Sequence, residues 1–143
     1  MQVGILAGTA YSGIELVRIL HRHPEAEIVS VTGRSSAGKA LNAVFPHLGS
    51  IDLPVTEELD GSIDVVFSAL PHAASAERLG PLVESGVKAV DISADFRIED
   101  PGEYEQWYGE PHPFPEYLEE AAYGLPELGR DGIASARLVA NPG

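Results

Sequence analysis

Short apolar runs and stretches of helical spacing alternate along this chain. Val3 to Ala7 is an apolar run bounded by glycine, which predicts a buried parallel strand. Beyond it Ile14, Val17, Ile19 and Leu20 recur near helical spacing. Ser12, with Glu15 three residues on, has the form of a capping box and predicts the helix start, and the stop falls around His21 to Pro24. Glu27 to Thr32 alternates and is rich in Ile and Val, a second strand. Strand, glycine turn, helix and strand within about thirty residues make a βαβ unit.

The pattern continues more loosely. Arg34 to Leu48 reads as loop with one helical turn, and Val65 to Leu70 as a strand ended by Pro71. Ser75 to Ser85 is helical, with Leu79, Leu82 and Val83 on one face and Gly86 as its stop. Lys88 to Ile92 is a strand closed by the Ser93-Ala94-Asp95 turn. Pro101 to Pro126 is dense in proline and predicts irregular structure with short helices. Leu138 to Ala140 is the last strand, and Asn141-Pro142-Gly143 a tight turn at its carboxyl end. Alternating strands and helices predict an α/β fold, a Rossmann-like, doubly wound, mostly parallel sheet. The 143 residues suit one domain, 1–143.

Composition narrows the chemistry. Hydrophobic residues at 44% and charged residues at 22% are those of a globular chain. No apolar run approaches the ~18 residues that span a bilayer, and Met1-Gln2-Val3 leads straight into a strand with no basic leader, so a cytoplasmic location is expected. A net charge of −13 argues against nucleic acid and anionic membranes as partners, and requires any anionic ligand to be held by local donors. The absence of cysteine rules out disulfides, cysteine-based metal sites and a cysteine nucleophile within these residues.

Four stretches carry candidate chemistry. After the first strand, Gly8, Thr9, Ala10, Tyr11, Ser12 and Gly13 form a small-residue turn into a helix, where backbone can approach a pyrophosphate. The alternative is a turn that merely packs helix on strand, and the βαβ context favours the cofactor. Arg34, Ser35 and Ser36, with Lys39 nearby, stand at the end of the second strand, some twenty residues past Gly13. An NAD site places Asp or Glu there; an arginine with hydroxyls suits the 2′-phosphate of NADP, against the alternative of a solvated loop arginine. Leu70, Pro71 and His72 lie at a third strand end, and His72 is either a general acid–base group or, as base rates favour, a cap for the next helix. Arg97 in Asp91-Ile92-Ser93-Ala94-Asp95-Phe96-Arg97 is a candidate for a substrate carboxylate or phosphate, or a partner of Asp95. His21, His23, His47 and His112 share no metal-ligand spacing and read as surface or loop residues, so no metal is expected. Tyr104, Trp107 and Tyr108 predict a packing cluster, and Glu57-Glu58 and Glu119-Glu120 predict solvated faces.

Nine stretches, in order, resemble one family: Tyr11-Ser12-Gly13-Ile14-Glu15-Leu16, His23-Pro24-Glu25, Arg34-Ser35-Ser36-Ala37-Gly38-Lys39, Pro46-His47-Leu48, Ala69-Leu70-Pro71-His72, Asp91 to Arg97, Trp107-Tyr108-Gly109, Tyr123 to Leu128 and Ala140 to Gly143. Over nearly all of its length the chain resembles the N-terminal part of N-acetyl-γ-glutamyl-phosphate reductase, an enzyme of arginine biosynthesis. The resemblance implies NADPH-dependent reduction of an acyl phosphate to an aldehyde with release of phosphate, through a thioacyl-enzyme. It places the catalytic cysteine directly after Gly143, and a histidine acid–base group in a second, α+β substrate domain absent from these residues. It implies that Asn141 and Gly143 shape the turn beside the nicotinamide and substrate, and that Arg97 meets substrate phosphate. By this resemblance the 143 residues alone are inactive, and the whole enzyme is a homo-oligomer with a small-molecule acyl-phosphate substrate.

Within the class, the reductase of the carrier-linked lysine pathway shares many of these stretches but departs from Asn-Pro-Gly. Aspartate-semialdehyde dehydrogenase shares the chemistry but lacks the Ser-Ala-Asp-Phe-Arg and Tyr-Gly-Leu-Pro-Glu runs. A reading of another class is a non-catalytic dinucleotide-binding module.

Overall fold

The computed structural model describes residues 1–142, which divide into two compact units, one of residues 1–69 and one from Leu70 onward. The first unit is built on strand β1 (Gln2–Leu6), whose Val3 and Ile5 are fully buried. Its nearly unbroken burial is what a parallel strand covered on both faces requires. Helix α1 (Tyr11–Leu20) packs Ile14, Val17 and Leu20 inward, whereas Ile19 is 55% exposed. Ile19 stands off the stripe because five residues of helix carry it past the face begun by Ile14. Strand β2 (Glu27–Thr32) pairs with β1 in parallel, as do β2 with β3 (Val55–Thr56) and β1 with β4 (Val65–Ser68). Within this unit the order is β3-β2-β1-β4. The chain steps outward from β1 through β2 to β3, then returns to the other side of β1. That reversal is where open α/β sheets bind ligands, beyond the strands' carboxyl ends. Val3, Ile5, Ile14, Val17, Ile28, Val31, Leu41 and Val55 make one hydrophobic cluster, and full burial of such a side chain contributes about 1.5–3 kcal/mol.

The expected capping box is not formed. Ala7 turns the chain with φ +52°, Ala10 N–H donates to the Ala7 carbonyl at 2.9 Å, and the helix has already begun at Tyr11. Ser12 is therefore the second helical residue and no side chain caps α1, while Glu15 pairs with Arg18 at 2.7 Å. Arg34 to Leu48 holds more regular structure than one turn: 3-10 turns at Arg34–Ser36 and Pro46–Leu48 flank the short helix α2 (Leu41–Val44). Strand β3 gives no sequence signal because two residues cannot show a period.

In the second unit helix α3 (Ala74–Glu84) buries Leu79 and Val83 with Ala76, leaving Leu82 half-buried. Gly86 ends it at φ +94°, with Gly86 N–H on the Val83 carbonyl and Val87 N–H on the Leu82 carbonyl, the paired bonds of a Schellman stop. Strand β5 (Lys88–Asp91) pairs in parallel with β7 (Leu138–Ala140), and β7 with the two-residue β6 (Ala122–Tyr123). Helix α5 (Pro126–Ser135) carries the chain from β6 to β7. Neither β6 nor α5 shows in the apolar pattern, and α5 buries no residue, which is why its spacing is silent.

The proline-dense segment contains an ordered helix, α4 (Pro101–Tyr108). Asp100 caps it by accepting from Glu103 N–H at 2.7 Å, Pro101 takes the first position, and Gly109 closes it at φ +80°. Tyr104 is buried, but Trp107 is 71% exposed and Tyr108 lies at the surface, so the expected three-ring packing cluster is instead two tyrosines, with ring centroids 4.7 Å apart. Tyr104 and Tyr108, one turn apart, share a face that Trp107 leaves. Glu57, Glu58, Glu119 and Glu120 are exposed, the last with both oxygens on Arg137.

Candidate functional site

In the first unit the β1–α1 turn is drawn so tight that side chains are excluded. A methyl group on Gly13 would strike the Ala7 carbonyl oxygen and the backbone of Gly8. One on Gly8 would strike Val31, and one on Gly33 the side chain of Thr9. Two of these neighbours are backbone or core and cannot move aside, so the loop runs bare past the first turn of α1. Ala7 is held in its left-handed conformation partly by its N–H, which donates to Thr32 Oγ1 at 3.0 Å. A non-glycine residue there costs about 1–2 kcal/mol. Tyr11 (97% exposed) and Ser12 stand open at the helix start, with Thr9 and Ala10 half-buried before them. At the end of β2, Arg34 and Ser35 are exposed in their 3-10 turn, Ser36 is buried, and Lys39 is exposed. This unit thus presents bare backbone at a helix N-terminus together with two free cationic side chains on the β2 loop, the donor set that a dinucleotide with a 2′-phosphate requires.

In the second unit the carboxyl ends of β5 and β7 carry a polar cluster. Asp91, fully buried, accepts from Ser75 Oγ at 2.6 Å, from Ser93 N–H at 3.0 Å and from Ser93 Oγ at 2.7 Å. Burial raises its carboxyl above the usual range, and the Ser75 and Ser93 hydrogen bonds oppose that. Ser93 Oγ in turn accepts from Asp95 N–H at 3.1 Å. Asp95, also fully buried, accepts from Ala73 N–H at 2.9 Å and Ala76 N–H at 2.8 Å. It thereby serves as the cap that α3 lacks locally, since Ala73 enters the helix at φ +66° with no side chain to offer. The same carboxylate holds His72 Nδ1 at 2.5 Å and the Tyr104 hydroxyl. Burial, then the Asp95 charge, pushes that phenol well above its ordinary range.

His72 is therefore not the helix cap that base rates favour; Asp95, twenty-three residues on, does that work, and His72 leans on it with its ring stacked on Tyr108 at 4.2 Å. Nor is Asp95 spent on Arg97. The Arg97 guanidinium donates from Nε to the Asn141 carbonyl and from Nη2 to the Ile92 carbonyl, both at 2.9 Å. It bridges the loops that leave β5 and β7, and Asn141 N–H adds a bond of 2.8 Å to the Asp91 carbonyl. Leu70 is half-buried and Pro71 exposed ahead of His72. Gly143, predicted beside the substrate, lies outside the described residues.

His112, expected as a surface or loop residue, lies in the loop after α4 but is buried there. Its Nδ1 accepts from Phe114 N–H at 3.0 Å, its ring meets Phe96 and Tyr104 edge-on, and its Nε2 has no partner. Burial holds its pKa below the usual imidazole value. Ser75, Asp91, Ser93, Asp95 and Tyr104 were not singled out for this network from sequence. The only trace is the Ser-Ala-Asp turn after an apolar strand, which places two acceptors at a strand's carboxyl end.

A family model described as "Semialdehyde dehydrogenase, NAD binding domain" matches residues 2–136. The chain belongs to this family. An N-acetyl-γ-glutamyl-phosphate reductase of Dehalococcoides mccartyi is 58% identical over 142 residues, covering 99% of this chain and 42% of the relative. One of Pseudomonas syringae pv. syringae is 47% identical over 149 residues, covering 100% of this chain and 43% of the relative. The chain thus spans a little over two fifths of the length of the curated relatives it matches. Among solved structures, aspartate semialdehyde dehydrogenase II of Vibrio cholerae in complex with ASA superposes with a TM-score of 0.71 at 19% identity, over 99% of this chain and 41% of that one. Aspartate semialdehyde dehydrogenase of Candida albicans with NADP superposes with a TM-score of 0.58 at 24% identity, over 78% of this chain and 40% of that one. At such identities the likeness shows the fold, and that fold is the Rossmann-like α/β one predicted from the strand–helix alternation. The bare backbone around Gly8 and Gly13 at the start of α1 fits the pyrophosphate of the dinucleotide that an NAD binding domain takes.

Proposed function

We propose that this chain is the NADP-binding part of an N-acetyl-γ-glutamyl-phosphate reductase. The observation that carries the reading is the 58% identity to a protein of that name over 142 residues, 99% of this chain. Gly8, Thr9, Ala10, Tyr11, Ser12 and Gly13 hold the pyrophosphate through backbone N–H groups. Arg34, Ser35, Ser36 and Lys39 hold the 2′-phosphate, and Leu70, Pro71 and His72 complete the cofactor contacts. When bound, the reduced dinucleotide supplies a hydride.

The chain's own contribution to the reaction is binding and orientation. Arg97 has donors left over after bridging the Ile92 and Asn141 carbonyls, and these meet the anionic substrate while Asn141 and Gly143 frame the turn. A thiolate is required to accept the acyl group as phosphate leaves, and these 143 residues contain no cysteine. The reading therefore assigns the nucleophile, the acid–base histidine and the substrate domain to sequence beyond Gly143. It assigns the protein to the cytoplasm as a homo-oligomer.

The test is turnover by the whole protein with three substrates in turn: N-acetyl-γ-glutamyl phosphate, the carrier-linked lysine-pathway acyl phosphate, and aspartyl phosphate. Reduction of the first with NADPH supports the proposal. Robust reduction of only one of the others defeats it, as does nucleotide binding with no turnover of any, which would leave a binding module.

A further inference from the structure

The carboxyl end of β2 is the template on which the β1–α1 loop is set. Val31, Thr32 and Gly33 each meet one residue of that loop. A methyl group on Gly8 would strike the Val31 side chain, Thr32 Oγ1 accepts from Ala7 N–H at 3.0 Å, and Gly33 leaves room for the Thr9 side chain. The template is itself fixed. Val31 and Thr32 are buried, Thr32 pairs with Thr56 of β3, and Gly33 N–H donates to the Thr56 carbonyl at 2.9 Å. Of the three contacts to the loop only the Thr32 hydrogen bond is directional, and it falls on the strained residue, Ala7 at φ +52°. The Ala7 carbonyl accepts from Ala10 N–H at 2.9 Å and lies against Gly13, so the conformation of Ala7 decides where the first turn of α1 begins.

An alanine left to itself is disfavoured in the left-handed region by about 5- to 30-fold in population. Without an acceptor for its N–H, Ala7 leaves that region in most molecules and its carbonyl turns away. The loop form that fits a pyrophosphate is then present in only a fraction of them, and apparent affinity falls by that fraction. We propose that Thr32 is a positioning residue for the dinucleotide: its hydroxyl, acting through Ala7, holds the β1–α1 loop in the form that presents backbone N–H groups to the pyrophosphate. This rests on the reading that gives that loop the pyrophosphate, and not on the identity of the acyl substrate. The end of β2 thereby divides its labour. Thr32 sets the affinity for any dinucleotide, and Arg34, two residues on, sets the choice between NADPH and NADH.

The experiment uses the whole protein, with NADPH and NADH dissociation constants read by fluorescence titration and folding checked by urea unfolding. Thr32→Val keeps the shape and removes the acceptor, and should weaken both nucleotides by about 5- to 30-fold with their ratio unchanged. Thr32→Ser, which keeps the hydroxyl, should restore most of the loss. In an Ala7→Gly background the left-handed turn needs no restraint, so there Thr32→Val should cost less than about threefold. A merely structural hydroxyl would lower the urea midpoint and leave the affinities of the folded protein alone. Unchanged affinities in folded Thr32→Val therefore overturn the proposal, as does a loss confined to NADPH, which would put the hydroxyl on the 2′-phosphate instead, or a loss of the same size in the Ala7→Gly background. If Thr32→Val alone does not fold, the double variant decides: near-normal binding of both nucleotides supports the proposal, and failure to fold or bind overturns it. A wild-type protein that binds neither nucleotide defeats the cofactor reading and the proposal with it, whereas wild-type binding matched by Thr32→Val defeats the proposal alone.

Discussion

Arg97 and Asn141, forty-four residues apart in sequence, are joined by a hydrogen bond of 2.9 Å from the guanidinium Nε to the backbone carbonyl, and the same guanidinium reaches the Ile92 carbonyl. One side chain thus ties the loop after β5 to the turn after β7. Arg97→Ala should lower stability by about 1–3 kcal/mol, because two carbonyls lose charged donors. Arg97→Lys should recover less than half of that, since a single ammonium cannot reproduce the planar fork. Urea unfolding midpoints check both values, and a lysine variant as stable as the original would remove the bridging role.

Gly13→Ala should be far more damaging than Gly33→Ala. The added methyl meets backbone at the first position and a threonine side chain at the second. The first variant is expected to lose measurable dinucleotide binding and at least 2 kcal/mol of stability, in the range for forced overpacking. The second should bind within about tenfold of the original once Thr9 shifts, as fluorescence titration with NADPH would show.

Ala7 takes φ +52° without being glycine. Ala7→Gly should be neutral to stabilising by up to about 1 kcal/mol, as relief of left-handed strain outweighs the added freedom of the unfolded chain. A clear loss of stability in thermal or urea unfolding would show that the alanine methyl is holding the turn.

Arg34→Glu should abolish most of the preference for NADPH over NADH, because the carboxylate repels a 2′-phosphate and accepts from a free 2′-hydroxyl. Dissociation constants for both nucleotides test this. Equal affinities in the unaltered protein would defeat the NADP assignment at the outset.

Two buried groups give stability opposite pH slopes. Asp91 has a raised carboxyl pKa, so between the unfolded value of 3.8 and the higher folded one the native state binds more protons than the unfolded state. Stability should fall as pH rises through that window, and Asp91→Asn should flatten the fall. His112 has a folded pKa below 6.5, so its contribution is full above that value and is lost as pH drops below it. His112→Asn retains an acceptor for Phe114 N–H and should remove that acid-side loss. Unfolding free energies measured from pH 4 to 8 separate the two variants.

The chain's one-dimensional pattern determined the βαβ unit, the extent of β2 and of β7, the Gly86 stop and the glycine turn with Arg34 beyond it. These depend on neighbours within a few residues: a run of β-branched side chains, a left-handed glycine, a cation set at a fixed remove from a loop. The tertiary structure decided everything that depends on who meets whom across a gap in sequence. The start of α1 followed from the strained turn at Ala7 rather than from Ser12, and Trp107 went to solvent while His112 went inside. α3 found its cap in Asp95 and not in the histidine next to it. Two-residue strands such as β3 and β6 carry no period, and a helix such as α5 that buries nothing carries no stripe. The pairing of Asp95 with His72, and of Arg97 with Asn141, arises because parallel strands deliver loops from distant parts of the chain to one edge, where local propensity has no say.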